Sequence, residues 1–200
     1  MSNIQHLMMA AGTSRRMGKP KQLLPWGNKT LIEHQITVLL ETKHKVSVVL
    51  GAYADKISEV IKKYPVDIYI NENWKKGMST SIAFGVQQLL KKDPIVEGIL
   101  ISLIDQPLIK VAHFKNMLKF FETGKGQINV SKSKDGWTGV PVLFDRSYFN
   151  ELMDIKGDDG AKVIIKKNKS SVKLIDNGDS LKDIDTYESY LELLNLFSKK

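Results

Sequence analysis

Between Ala10 and Gln22 the chain reads AAGTSRRMGKPKQ. Gly12 and Gly18 bracket two hydroxyl residues, Thr13 and Ser14, and four cations (Arg15, Arg16, Lys19 and Lys21) fall within seven residues. Small residues let backbone N–H groups approach a ligand closely, and guanidinium and ammonium groups neutralise phosphate oxygens. The chemistry implied is polyphosphate binding. A Walker A loop is excluded, because it needs four residues between its glycines and a Ser or Thr after its lysine. Here five residues separate Gly12 from Gly18, and Pro20 follows Lys19. No GxGxxG occurs, so the dinucleotide fingerprint is absent as well. The density of cations from Arg15 to Lys21, beside two glycines, argues against an ordinary basic surface loop.

Acidic and hydroxyl residues supply the complement. Asp105 ends the apolar run Leu100–Ile104 and precedes Gln106-Pro107. A carboxylate at a strand end can ligate magnesium, a hard cation held by one or two carboxylates plus phosphates. The same residue could cap a helix near Pro107, and the residues alone leave both readings open. Asp183 and Asp185 flank Ile184, an alternation that puts both carboxylates on one face of an extended segment, with Thr186 capping a last helix. Gly77-Met78-Ser79-Thr80-Ser81 begins a helix with free N–H groups and hydroxyls that can bind a base edge or a phosphate; simple capping by Ser79 is the alternative. Asp158, Asp159 and Gly160 stand at a loop-to-helix junction, as a cap or as a substrate loop. Trp137 is an aromatic wall or a packing residue, and Met8-Met9 is core. His6, His34, His44 and His113 have no metal-ligand spacing and are expected at the surface or at edges.

Strand and helix signals alternate around these residues. Buried strands are expected at Ile4–Met9, Val46–Gly51, Val66–Ile70, Gly98–Asp105 and Val172–Ile175. Thr30 and Glu33 have capping-box spacing, and helical periodicity follows them. Further helices are expected near Asp55–Lys63, beyond Gly77, at Val111–Phe121, Asp159–Lys167 and Thr186–Phe197. This order predicts an α/β fold, one domain over residues 1–200, with a mostly parallel twisted sheet flanked by helices. The strand-like, glycine-punctuated stretch of 125–145 is expected as a small β insertion over the site. In open α/β sheets ligands gather at the carboxyl ends of strands, where the Gly12 loop, the Asn71–Gly77 turn and Asp105 all fall.

The 200 residues carry a net charge of +8, which favours anionic ligands. No aromatic stacking motif interleaves with the lysines, so nucleic acid is not the expected partner. The chain has no cysteine, which excludes disulfides, thiolate metal sites and a cysteine nucleophile. No apolar run approaches 18 residues and no basic segment precedes the first one, so neither a membrane span nor a secretory signal is expected, and a cytoplasmic location is.

The string AAGTSRRMGKPKQ resembles the opening signature of the small-molecule nucleotidyltransferases that activate a substrate with a nucleoside triphosphate. It is most similar to the molybdenum cofactor cytidylyltransferase branch. NENWKKGMSTSIAFGV (Asn71–Val86), LISLIDQP (Leu100–Pro107), GVPVLF (Gly139–Phe144), GDDGAKVII (Gly157–Ile165) and DIDTYESY (Asp183–Tyr190) occur in the family's order. The resemblance implies a Rossmann-like domain of the nucleotide-diphospho-sugar transferase type. It implies Mg2+-dependent transfer of CMP from CTP to the terminal phosphate of molybdenum-bearing molybdopterin, with a transient contact to a molybdenum hydroxylase client of the xanthine dehydrogenase type.

By resemblance Arg16, Lys21 and Asp105 are catalytic, and Asp105 binds metal together with Asp183 or Asp185. Ala10, Ala11, Gly12, Thr13, Ser14, Arg15, Gly77, Ser79 and Ser81 would bind the nucleotide, and Gly139, Pro141 and Asp159 the acceptor. Ala10-Ala11 in place of a glycine pair matches the cytidine-using members. Two departures stand out: Val140 occupies a position that is commonly polar, and Thr186-Tyr187-Glu188 replaces the usual proline and second acid. Rival readings are a sugar phosphate or isoprenoid polyol phosphate as acceptor, guanylyl transfer, and a non-catalytic molybdopterin chaperone.

Overall fold

The computed structural model describes residues 2–177 and 181–198. Its centre is β1 (Ile4–Ala10), buried along its whole length. Such a strand shows no polar alternation because helices cover both faces of the sheet. Parallel to it run β4 (Lys45–Leu50) on one side and β6 (Gly98–Leu103) on the other, and β5 (Asp67–Ile70) extends the sheet beyond β4. β6 pairs antiparallel with β8 (Thr138–Asp145), β8 antiparallel with β7 (Ile128–Lys132), and β7 parallel with β9 (Val172–Asp176). The order is β5-β4-β1-β6-β8-β7-β9, with β8 alone reversed.

A short hairpin of β2 (Pro25–Trp26) and β3 (Lys29–Thr30) leads into α1 (Leu31–Leu40). The expected capping box is present: the Thr30 N–H donates to Glu33 Oε2 at 2.8 Å and the Glu33 N–H to Thr30 Oγ1 at 3.5 Å. The remaining helices are α2 (Ala54–Ile61), α3 (Met78–Lys92), α4 (Val111–Lys119), α5 (Phe149–Asp154), α6 (Lys162–Lys167) and α7 (Tyr187–Ser198). Alternate residues of β1 feed two cores. Ile4 and Met8 pack with Ile36, Phe114 and Leu193 under α1, α4 and α7. Leu7 and Met9 pack with Val86, Leu152 and Ile164 under α3, α5 and α6. Among the described residues no helix is long and apolar enough to cross a membrane.

Two expectations are corrected. The stretch 125–145 is not an insertion over the site: its strands are β7 and β8, integral to the central sheet, because Val130, Val142 and Phe144 are core residues that need both faces covered. The turn between them, with Trp137, and one face of β8 border the site. His6 and His113 are enclosed rather than peripheral. His6 Nε2 lies 2.7 Å from Thr42 Oγ1, and burial, with His44 nearby, pushes its pKa down to about 3. His113 Nε2 lies 2.8 Å from Ser131 Oγ, and burial lowers its pKa to about 4. A neutral imidazole with one hydroxyl partner is tolerated in a core.

Candidate active site

The chain reverses its winding at β1, passing first to β4 and later to β6, and the carboxyl ends of these strands frame a cleft. One half, about 270 Å³, is lined by Ala10, Ala11, Gly12, Thr13, Arg15, Lys21, Gly77, Ser81 and Asp105. The loop after β1 is held from within. Ser14 adopts a left-handed conformation, φ 56°, and its Oγ accepts from the Lys21 N–H at 3.1 Å. Gln22 Nε2 donates to the carbonyls of Ala10 at 2.8 Å and Gly12 at 3.0 Å. These bonds aim Lys21 across the cleft, where its Nζ donates to Asp105 Oδ2 at 3.0 Å and to the Ile184 carbonyl at 2.7 Å.

Asp105 is not a helix cap. No helix starts near Pro107, and α4 begins at Val111 after Lys110. Its carbonyl instead accepts from the Ile184 N–H at 2.8 Å, which brings the 183–185 segment to the strand end. Ile184 turns inward while Asp183 and Asp185 turn out, as the alternation predicts. Asp183 is open to solvent on one side, yet crowding by the site walls, and secondarily the Asp105 carboxylate, raises its pKa to about 6. The Gln106 amide and the Lys21 ammonium offset part of this rise. Asp105 Oδ1 is buried without a partner. A pair of crowded carboxylates with an unfilled lone pair suits a hard divalent cation, so these residues fit magnesium. Among the described residues no cluster of three or more metal-ligating side chains occurs.

The second half, about 260 Å³, adjoins the first across Met78 and Leu103. Ile82, Trp137, Gly139, Val140, Asp159 and Asp183 are among its walls. Two glycines shape it. Gly77 has φ +103°, and a Cβ there would lie 2.3 Å from Asp158 Oδ1, so only glycine lets the 157–160 loop close against the start of α3. A Cβ on Gly139 would lie 2.5 Å from Trp137 Cη2, so the indole rests on bare backbone.

The structure does not gather every expected residue. Arg16 lies outside both linings and meets Asp185 Oδ2 at 3.5 Å, with side-chain exposures of 74% and 59%. Ser14 acts inside its own loop. Ser79 is fully enclosed, lines neither half and does not cap α3, whose N-cap is Gly77. Pro141 is buried with its carbonyl accepting from Ser131 Oγ at 2.6 Å, while its neighbours Gly139 and Val140 line the second half. Strand alternation turns Pro141 away from the wall that Val140 and Val142 share. Sequence reasoning gave no role to Gln22, Trp74, Lys75 or Gln106, all of which line the cleft. Each lies inside a quoted motif, but nothing in its spacing says that Gln22 reaches back to Ala10 and Gly12.

Residues 7–172 match the model of the MobA-like NTP transferase domain. The chain belongs to the MobA-like NTP transferase family. It is 31% identical to the nicotine blue oxidoreductase of Paenarthrobacter nicotinovorans, over 94% of this chain and 95% of that one. It is 21% identical to the molybdenum cofactor cytidylyltransferase of Escherichia coli K12, over 96% and 95%. Among solved structures, a homologue of Mycobacterium tuberculosis Rv0371c from Mycobacterium sp. strain JC1 superposes with a TM-score of 0.84 at 30% identity, covering 98% of both chains. This MobA-like chain is therefore an enzyme of the nucleotidyltransferase class, and its mostly parallel α/β sheet is that of its structural neighbours.

Proposed function

We propose that this enzyme is a magnesium-dependent cytidylyltransferase of the cytoplasm, moving CMP from CTP onto the terminal phosphate of molybdenum-bearing molybdopterin. The observation that carries this reading is the junction of the two half-clefts, with Asp105 on the wall of one and Asp183 on the wall of the other. A triphosphate in the first half and a phosphorylated acceptor in the second would meet across these carboxylates.

An oxygen of the acceptor phosphate attacks the α-phosphorus; the new P–O bond forms as the bond to the β-phosphate oxygen breaks, and pyrophosphate leaves with that electron pair. No covalent enzyme intermediate is required. Ala10 to Thr13 and the start of α3 hold the nucleotide, with Ser81 on the cleft floor facing the base. Lys21 and Arg15 neutralise the phosphates, and Arg16 assists from the rim. Positioning and charge neutralisation supply the rate, as in other phosphoryl transfers. Asp105 and Asp183 would hold the magnesium ion, and the chemistry it would supply there is Lewis-acid polarisation of the α-phosphate. Trp137 and the apolar wall of Ile82 and Val140 suit a flat heterocycle on the acceptor. The dinucleotide product would then pass to a molybdenum hydroxylase client.

The test is pyrophosphate release with each of CTP, GTP, ATP and UTP, with and without Mg2+, in the presence of molybdenum-loaded molybdopterin. Release with CTP alone is expected. Release only with a sugar phosphate or polyol phosphate as acceptor would move the enzyme to another substrate class. Molybdopterin binding without release would favour a carrier.

A further inference from the structure

Asn71 follows β5 directly, is 2% exposed, and is fixed from several sides. Its N–H donates to the Leu50 carbonyl at 2.8 Å, and its own carbonyl accepts from the Trp74 N–H at 3.2 Å. Its Oδ1 accepts from the Asn73 N–H at 3.0 Å. A backbone N–H can only donate, so the side-chain atom facing it must be the oxygen, and the amide nitrogen faces the other way. There it lies 3.0 Å from Ser81 Oγ. An amide nitrogen can only donate, so Ser81 Oγ is the acceptor and its hydroxyl proton must point elsewhere. Ser81 is 2% exposed and lines the nucleotide half of the cleft. Among the described residues no protein group accepts that proton.

We infer that Asn71 fixes Ser81 as a one-way hydrogen-bond donor into the nucleotide half, and so selects a base whose edge presents an acceptor there. A hydroxyl donor at this point favours cytosine, whose N3 and O2 are adjacent acceptors. It disfavours guanine, whose N1–H and 2-amino group are adjacent donors. The inference rests on the nucleotidyl-transfer reading of the cleft and names the source of its base preference. Asn71 is a positioning residue: it acts on the base through Ser81.

Asn71→Asp tests the inference with almost no change in shape. At pH 8 one carboxylate oxygen still accepts from the Asn73 N–H, while the other accepts the Ser81 proton and turns a Ser81 lone pair towards the cleft. Titration calorimetry with Mg·CTP and Mg·GTP should show the CTP-to-GTP affinity ratio falling about tenfold or more relative to the wild type. Ser81→Ala, which keeps Asn71 and removes the donor, should weaken CTP about tenfold and leave GTP within about twofold. Circular dichroism confirms that each variant is folded, and Ser81→Ala decides the matter if Asn71→Asp is not. An unchanged CTP preference in a folded variant overturns the inference. A wild-type protein that binds no nucleotide would overturn the nucleotidyl-transfer reading, and this inference with it, before any variant is compared.

Discussion

Two ion pairs join the loop after β1 to the acids opposite it, and they differ in almost everything except charge. Lys21 meets Asp105 at 3.0 Å with exposures of 13% and 20%, and its ammonium is also bound by the Ile184 carbonyl. Arg16 meets Asp185 at 3.5 Å in open water. The first pair has three elements holding it, because the Ser14 hydroxyl fixes the Lys21 backbone and the Ile184 N–H fixes the carbonyl of Asp105. The second competes with solvent and is screened by salt, as surface pairs are. Residue type makes both pairs candidates for chemistry; enclosure separates a group held in place from one that is free to move to a ligand.

The largest effects should come from the enclosed pair. Lys21→Ala and Asp105→Asn should each lower pyrophosphate release by about a hundredfold to a thousandfold while leaving cooperative thermal unfolding. Arg16→Ala should raise the KM for CTP by only about three- to tenfold, and the difference from wild type should shrink in about 0.5 M salt. An Arg16→Ala loss as large as that of Lys21→Ala would erase the contrast. The two acids of the C-terminal segment sharpen it further. Asp183→Asn should raise the Mg2+ concentration for half-maximal activity by about tenfold or more, whereas Asp185→Asn should change it by less than about twofold. Equal effects would mean that Asp185 also ligates the metal.

A last expectation concerns stability rather than activity, where burial governs a histidine as it governs the ion pairs. The unfolded chain takes up a proton on His6 below about pH 6.5, but the folded chain does so only near pH 3. Between those values the unfolded state binds more protons, so stability falls as pH falls through the window, by about 1.4 kcal/mol per pH unit at most. Denaturant titrations from pH 7 to pH 4 should show this slope, and His6→Gln should reduce it, leaving the share that the buried His113 contributes. A slope unchanged by His6→Gln would mean that the imidazole is not kept neutral by the fold.

Local signals in the chain predict most of the elements. The Thr30–Glu33 spacing, the continuous apolar run at Gly98–Leu103 and the stop after Leu50 depend on neighbours a few residues away, and the structure matches them. The cluster of cations from Arg15 to Lys21 likewise marks the loop that enters the cleft. Where the reading failed, the deciding contacts are distant in sequence. The β7–β8 hairpin reads as a β insertion because its glycines and short apolar runs say strand, but not which strands it will pair with. His6 looks peripheral until Thr42 and Phe114 close over it.

The residue types of the site, the loop that carries the cations, and the strand ends where a ligand would gather are all legible along the chain. These follow from backbone periodicity and from side chains close in the chain, which hardly depend on how the rest folds. Which of those residues share a cleft depends on the assembled fold. Lys21 and Asp105 are 84 residues apart and Lys21 and Ile184 are 163, and no local rule sets the geometry of such contacts. The same holds for Asn71 and Ser81: their polarity is set by a single backbone N–H at Asn73, a donor every such residue carries, aimed here by the turn that ends β5. Packing and hydrogen-bond direction are properties of the assembled fold, and they separate the enclosed lysine from the exposed arginine five residues before it.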